Sequence, residues 1–192
     1  MTKRSIGPQT TVAVHPMVIV GTYAASGRPN AMAAAWTGIV SSNPPAVGVS
    51  VRPERYTHQN IVRTKAFTLS VPGEQHLAEA DFFGIASGRD TDKFEATGLT
   101  PERATKVDAP YVGEFPLVLE CSLIETVELG AHTQFIGEIV DVLVDEDCIG
   151  EGDRPDLMRI RPFLYDAFGF GYHSVGPRVG DGFKAGRRFL KR

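Results

Sequence analysis

Short apolar runs, mostly alternating with polar residues at a period of two and divided by glycine- and proline-rich stretches, fill this chain. Val47, Val49 and Val51 alternate with Gly48 and Ser50, predicting a half-buried strand. It stops at Arg52-Pro53, because proline has no ladder donor and holds the preceding residue extended. Phe67, Leu69 and Val71 alternate with Ala66, Thr68 and Ser70, predicting another strand closed by a proline. Val18–Val20 is a short apolar run before Ser26–Asn30, where Gly27 and Pro29-Asn30 supply hairpin chemistry. Leu117–Val127 and Thr133–Val144 predict two long strands, with Gly137 marking a bulge or barrel bend. Ala31–Val40 is ambiguous: its alanines favour helix, but its flanking turns favour one extended strand with small side chains. Ser42–Pro45 predicts a rigid connector. Helical spacing occurs over His76–Ile85, and Asp92 is placed to cap a short helix carrying Lys93 and Phe94. Gly98–Pro110 reads as an irregular connection and Asp145–Pro155 as a charged turn.

These elements predict one mainly β domain over residues 1–192, a barrel or sandwich. The net charge of −3 argues against nucleic acid as a partner. Cys121 and Cys148 lie far apart without a CxxC, so they are expected to be buried thiols in strands, as in a reducing cytosol. Residues 1–16 carry no apolar leader and nothing approaches 18 consecutive apolar residues, so a cytoplasmic protein without a membrane span is expected. The five histidines show no i,i+3 or i,i+4 pairing, and no metal site is expected. GxGxxG after a strand, GxxxxGK[ST], HExxH and GxSxG are all absent.

The chemistry that remains is concentrated after the valine strand. Arg52, Arg55, Tyr56, Thr57, His58 and Asn60 crowd a single turn, with Glu54 as the only compensating charge. Asn60 leads into Ile61-Val62-Arg63, the start of a short helix whose first turn would offer free N–H groups. Two readings of the turn stay open, a solvated connection or a phosphate-ester site; the density of anion donors favours the second. Lys93 is a further phosphate or ribityl candidate, or an exposed lysine. Small residues at Ala31–Ala35 either admit a flat ligand or pack strands tightly, and Trp36 is either core or a ligand platform. The basic end at Arg187-Arg188-Lys191-Arg192 reads as a solvated terminus. A phosphate grip without a nucleophile signature suggests a cofactor that carries the reaction itself.

The ordered segments PMVIVGTYAASGRPNAMAAAWTGIVSSNPPAVGVSVRPERYTHQNI, KAFTLSVP, SGRDTDKFE, AHTQFIGEIVDV and SVGPRVGDGFKAG closely resemble the flavin reductase-like, FMN-binding split-barrel family, particularly its flavoredoxin-type members. The resemblance runs from about Met17 to Gly186. It implies a six-stranded antiparallel Greek-key split barrel with helical insertions, paired as a homodimer with FMN near the interface. By the resemblance, Asn30 and the stretch Ala33, Ala34, Ala35, Trp36 and Thr37 face the isoalloxazine. Ser50, Val51, Arg52, Thr57 and Asn60 line the ribityl-phosphate site, with Tyr56 and Lys93 nearby, and His132 falls close to the flavin or nicotinamide pocket. The aromatic stretch Phe168–Tyr172 is expected to help cover the flavin. Three functions remain open from sequence: an NAD(P)H-dependent flavin reductase serving a monooxygenase, an electron carrier holding FMN tightly for a redox partner, or a non-enzymatic flavin- or haem-binding barrel.

Overall fold

The computed structural model describes every residue except Thr11, Ala13, Lys191 and Arg192, so the last two residues of the basic end lie outside it. The strands are β1 Val14–Pro16, β2 Val18–Tyr23, β3 Pro29–Ala34, β4 Thr37–Ser42, β5 Pro45–Val51 and β6 Ala66–Val71. They continue as β7 Pro101–Arg103, β8 Pro110–Val112, β9 Leu117–Leu129, β10 His132–Val144, β11 Phe163–Asp166 and β12 Gly171–Ser174. The helices are α1 Tyr56–Thr64, α2 Leu77–Ile85, α3 Lys93–Thr97 and α4 Leu157–Ile160.

Seven strands form one antiparallel sheet in the order β3-β2-β6-β9-β10-β5-β4. Its two edge strands, β3 and β4, are consecutive in sequence and separated only by Ala35-Trp36. A flat seven-stranded sheet would hold its edges about 29 Å apart, whereas the chain from Ala34 to Thr37 reaches at most about 11 Å. The sheet must therefore roll into a split barrel, and the amide of Ser50 on β5 donates to the Trp36 carbonyl at 2.9 Å, extending the β4–β5 ladder up to the crossing. The expected count of six strands becomes seven for the same reason. Ala31–Val40 is not one strand, because the chain breaks at Ala35-Trp36 to cross from one edge to the other. The register of β10 against β9 shifts at Ile136/Gly137, the bulge that Gly137 predicted. A Cβ on Gly137 would lie 2.6 Å from the Phe67 ring, so this bend needs glycine.

Pleating separates two cores. Val18 and Val20 of β2 point into the barrel with Val47, Val49, Val51, Phe67, Leu69, Cys121 and Phe135. Met17 and Ile19 point outward into a second cluster with Ala80 and Phe83 of α2, Phe94 of α3, Phe115 and Phe163. Both faces of β2 are buried, which explains its unbroken apolar run. Ile61 plugs the barrel from α1. The interior is thus filled by the chain's own side chains, and a planar ligand has room only outside.

The stretch expected to be irregular holds β7 and runs into β8, which pairs with it as a small hairpin docked by Glu120. That buried carboxylate accepts from the amides of Thr105 at 3.1 Å and Lys106 at 2.6 Å. Cys121 is a buried thiol in β9, its pKa pushed up to about 12 by burial and then by Glu120. Cys148 is buried but ends the single turn Glu146–Cys148, so its predicted place in a strand is corrected. Among the described residues no helix is long and apolar enough to cross a membrane.

Candidate functional site

A cavity of about 630 Å³ opens outside the barrel, where β3 gives way to β4. Its floor is Met32, Ala33, Ala34, Ala35 and Trp36; β5 and the following turn add Ser50, Val51, Arg52 and Arg55; His132 enters from the start of β10. Because Val47, Val49 and Val51 fill the interior, Ser50 between them must face outward, as the period-2 pattern requires. Trp36 is 37% exposed and stacks on His15 with ring centroids 5.1 Å apart, so it serves as cavity wall and not as core. The remaining walls come from α2, through Asp81, Gly84 and Ile85, and from the tail, through Tyr165, Phe170 and Tyr172. Gly84 lets α2 sit close to the floor, since a Cβ there would lie 3.3 Å from Ala33 Cβ.

A second, polar cavity of about 80 Å³ shares Met32, Arg55 and Gly84 with the first. Asn30, Tyr56, Thr57, Lys93 and the loop Ser87-Gly88-Arg89 line it. Arg55 is the N-cap residue of α1, yet no side chain among the described residues caps that helix, so its first turn stays available to an anion. The loop is pinned beside it. Arg89 donates to the Glu54 carbonyl at 2.8 Å and lies over the Tyr56 ring, while Arg28 donates to the Gly88 carbonyl. Arg52 pairs with Glu54 at 3.6 Å across solvent. The Glu54 carboxyl is held below the usual range, first by a backbone hydrogen bond and then by Arg52 and Arg55.

Beneath this turn lies a buried polar knot. Asn30 Nδ2 donates to Thr57 at 3.0 Å and to Thr22 at 3.3 Å, and Asn60 Nδ2 donates to Thr22 at 3.2 Å. Asn30 Oδ1 is buried with no hydrogen-bond partner among the described residues, and a Cβ on Gly88 would lie 1.9 Å from it. Lys93 is also buried, which corrects the exposed alternative. Its Nζ donates to the carbonyls of Ala31 on β3 at 2.7 Å and Phe83 on α2 at 2.9 Å. Burial, then the charge of Arg55, brings its pKa down to about 8.

The structure therefore gathers Ala33, Ala34, Ala35, Trp36, Ser50, Val51, Arg52 and His132 around the larger cavity, and Asn30, Tyr56, Thr57 and Lys93 around the smaller. Two expected residues line neither. Asn60 spends its amide on Thr22, and Thr37 donates its hydroxyl to the Gly48 carbonyl at 2.8 Å. His58, counted among the anion donors, turns instead to Thr133, 2.9 Å away. Asp81 and Gly84 were not anticipated. A glycine inside the predicted helix His76–Ile85 was the available signal of close approach. Among the described residues no group of three or more His, Cys, Asp or Glu could hold a metal ion.

Residues 13–170 match a family model described as flavin reductase like domain. Flavoredoxin of Desulfovibrio vulgaris (Miyazaki F) is 45% identical and superposes with a TM-score of 0.92, over 96% of this chain and 100% of that one. Flavoredoxin from Methanosarcina acetivorans is 28% identical, with a TM-score of 0.93 over 99% and 100% of the two chains. An uncharacterized protein of Archaeoglobus fulgidus is 35% identical over 130 residues, 68% of this chain and 72% of that protein.

Proposed function

Because the chain belongs to the flavin reductase-like domain family, we propose that its two joined cavities bind FMN and that it passes electrons from NADH or NADPH through that flavin. The observation that carries this reading is the pairing of a flat, small-side-chain floor at Ala33–Ala35 with a basic turn and an uncapped helix start. The residues present fit the group. Arg52, Arg55 and the first-turn amides of α1 suit a phosphate dianion by charge-assisted hydrogen bonds. The buried, unpartnered Asn30 Oδ1 suits a ribityl hydroxyl as donor. Bound FMN would supply the two-electron chemistry, accepting a hydride equivalent from a nicotinamide. The chain's own residues position and shield. Ala33, Ala34 and Ala35 offer a surface without protruding atoms, Trp36 and Tyr172 exclude water at its margins, and Lys93 fixes the separation of β3 and α2.

A second reading, a flavoredoxin-type carrier that holds FMN tightly and serves a redox partner or monooxygenase component, is favoured by the 45% identity to a flavoredoxin. We take the working unit to be a homodimer. Ile39 and Val40 of β4, Ile124, Val127 and Leu129 of β9, and Val140 and Val142 of β10 leave apolar side chains in water on the sheet.

Chromatography of cofactor released from the purified protein, followed by absorption spectra with and without NADH or NADPH, tests both readings. FMN with steady NAD(P)H oxidation on added free flavin is the reductase result. A non-exchanging FMN complex that NAD(P)H does not bleach is the carrier result. Stoichiometric FAD, a haem Soret band, or no flavin after reconstitution overturns the proposal.

A further inference from the structure

The wall of the larger cavity carried by α2 and the β11–β12 hairpin has a different chemistry from the basic turn. It presents Asp81 beside Tyr165, Phe170 and Tyr172. Tyr172 packs edge-on against buried Phe163 at 5.3 Å and tilted against Tyr165 at 5.7 Å, so the aromatic wall is fixed from behind. Tyr172 Oη donates to Asp81 Oδ1 at 2.6 Å. Burial, and then that hydrogen bond, raises the phenol pKa, so Tyr172 remains the donor and Asp81 the acceptor. No arginine, lysine or histidine among the described residues pairs with Asp81, and its second carboxylate oxygen accepts no hydrogen bond from them. A cavity with Arg52 and Arg55 on its β5 side thus carries an uncompensated carboxylate, held at a set angle, on its α2 side.

We propose that Asp81, oriented by Tyr172, is a specificity-determining residue: it admits cationic or N–H-donating planar heterocycles beside the flavin and disfavours aromatic rings that bear a carboxylate. The inference rests on reading this cavity as the flavin site. The physical basis is direct. A ring lying along Tyr165, Phe170 and Tyr172 buries apolar area whatever its substituents, so the aromatic wall alone does not discriminate between rings of one shape. Asp81 does. Its free oxygen rewards a positive or N–H-donating group with a charge-assisted hydrogen bond, and a ligand carboxylate meets like charge. A nicotinamide ring offers both a carboxamide N–H and, once oxidised, a positive ring nitrogen, which makes it the class of electron donor this wall fits.

The test uses three probes on one pyridine frame with FMN-loaded protein: the 1-methylnicotinamide cation, neutral nicotinamide and the nicotinate anion. Dissociation constants come from calorimetry and from perturbation of the flavin spectrum, and an FMN titration of each protein serves as internal reference. The wild-type protein should prefer 1-methylnicotinamide to nicotinate by about 10-fold or more, the difference between a charge-assisted and a neutral contact. Asp81→Asn keeps an acceptor for Tyr172 but removes the charge, and should bring the two probes to within about 2-fold of each other. Tyr172→Phe keeps the charge and frees the carboxylate, so the preference should persist in sign and shrink. Equal preference in wild type and Asp81→Asn, or a wild type that prefers nicotinate, overturns the inference while leaving the flavin site standing. A wild type that holds no FMN overturns both.

Discussion

Replacing Lys93 by methionine removes a buried charge while keeping most of the side chain's length. The ammonium is disfavoured in the folded protein first by burial and then by Arg55, which brings its pKa from 10.5 to about 8. The unfolded chain keeps that proton up to about pH 10.4. Between those two values the unfolded state binds more protons than the folded one, so the stability contributed by this group rises with pH. Below pH 8 both states are protonated, and the folded state bears the cost of the buried charge. The gap between 10.5 and about 8 corresponds to roughly 3 kcal/mol. Deprotonation does not break the contacts, because a neutral amine still has two N–H groups for the carbonyls of Ala31 and Phe83.

At neutral pH two effects of the substitution oppose each other. Methionine relieves the charge burial but strands two buried carbonyls, at about 1–3 kcal/mol each. The diagnostic is therefore the pH dependence, measured by urea unfolding of wild-type and Lys93→Met apoprotein at several values from pH 7 to 9.5. Titrations common to both proteins cancel in the difference. The stability of the wild type relative to the variant should grow by about 2 kcal/mol over that range, the integral for a pKa of about 8 against about 10.4. Parallel profiles would refute the reasoning, since they would mean that Lys93 titrates alike in the folded and unfolded chains.

Arg55→Ala should weaken FMN binding by about 10- to 150-fold, the loss of one charge-assisted phosphate contact; Arg52→Ala should cost less, because Arg52 must first leave Glu54, and calorimetry giving wild-type affinity for both would remove the phosphate from this turn. Gly88→Ala places a Cβ 1.9 Å from Asn30 Oδ1 and forces that amide off Thr57 and Thr22, costing roughly 2–4 kcal/mol in urea unfolding; a loss under about 0.5 kcal/mol would show that the loop simply shifts. Sedimentation of the FMN-loaded protein should give a dimer, and Val142→Glu on β10 should shift it toward monomer; a wild-type monomer retaining full FMN affinity at micromolar concentration would rule the shared assembly out.

Much of the barrel was written in local patterns. The alternation Val47/Val49/Val51 put Ser50 on the outer face, Gly137 marked its bulge, and proline after Arg52 ended the strand at the cavity. Asp92 caps its helix as predicted, accepting from the Glu95 amide at 3.2 Å. What local patterns could not carry was the consequence of closure. Ala35-Trp36 looked like the middle of one strand because nothing nearby signals a change of sheet edge; the break follows from pairing with β5, a distant partner. Lys93 looked exposed or ligand-facing because its burial depends on two carbonyls, Ala31 and Phe83, brought together only when α2 packs over β3. His58 shares a turn with the anion donors, yet the helix rotates it toward Thr133. Asp81 is one of many acids in the sequence, and only the docking of the tail hairpin makes it part of a wall.

Closure of the barrel and formation of the site are one event. The crossing from β3 to β4 must be short and must pass close to β5, where the Trp36 carbonyl meets the Ser50 amide. Bulky residues before that crossing would hold α2 away from the sheet and leave Lys93 unable to span the carbonyls of Ala31 and Phe83. Small residues at Ala33–Ala35 satisfy the packing and, with the same atoms, produce a flat floor. The anion donors then fall beside that floor because β5, which pairs with β4 just after the crossing, runs directly into Arg52, Arg55 and α1. The parts outside the closure complete the cavity: α2 and the aromatic tail hairpin supply its remaining wall, with Asp81 and Tyr172 on it. On the proposed reading, such a barrel keeps its flavin grip while changing its electron donor by substitutions confined to α2 and β11–β12.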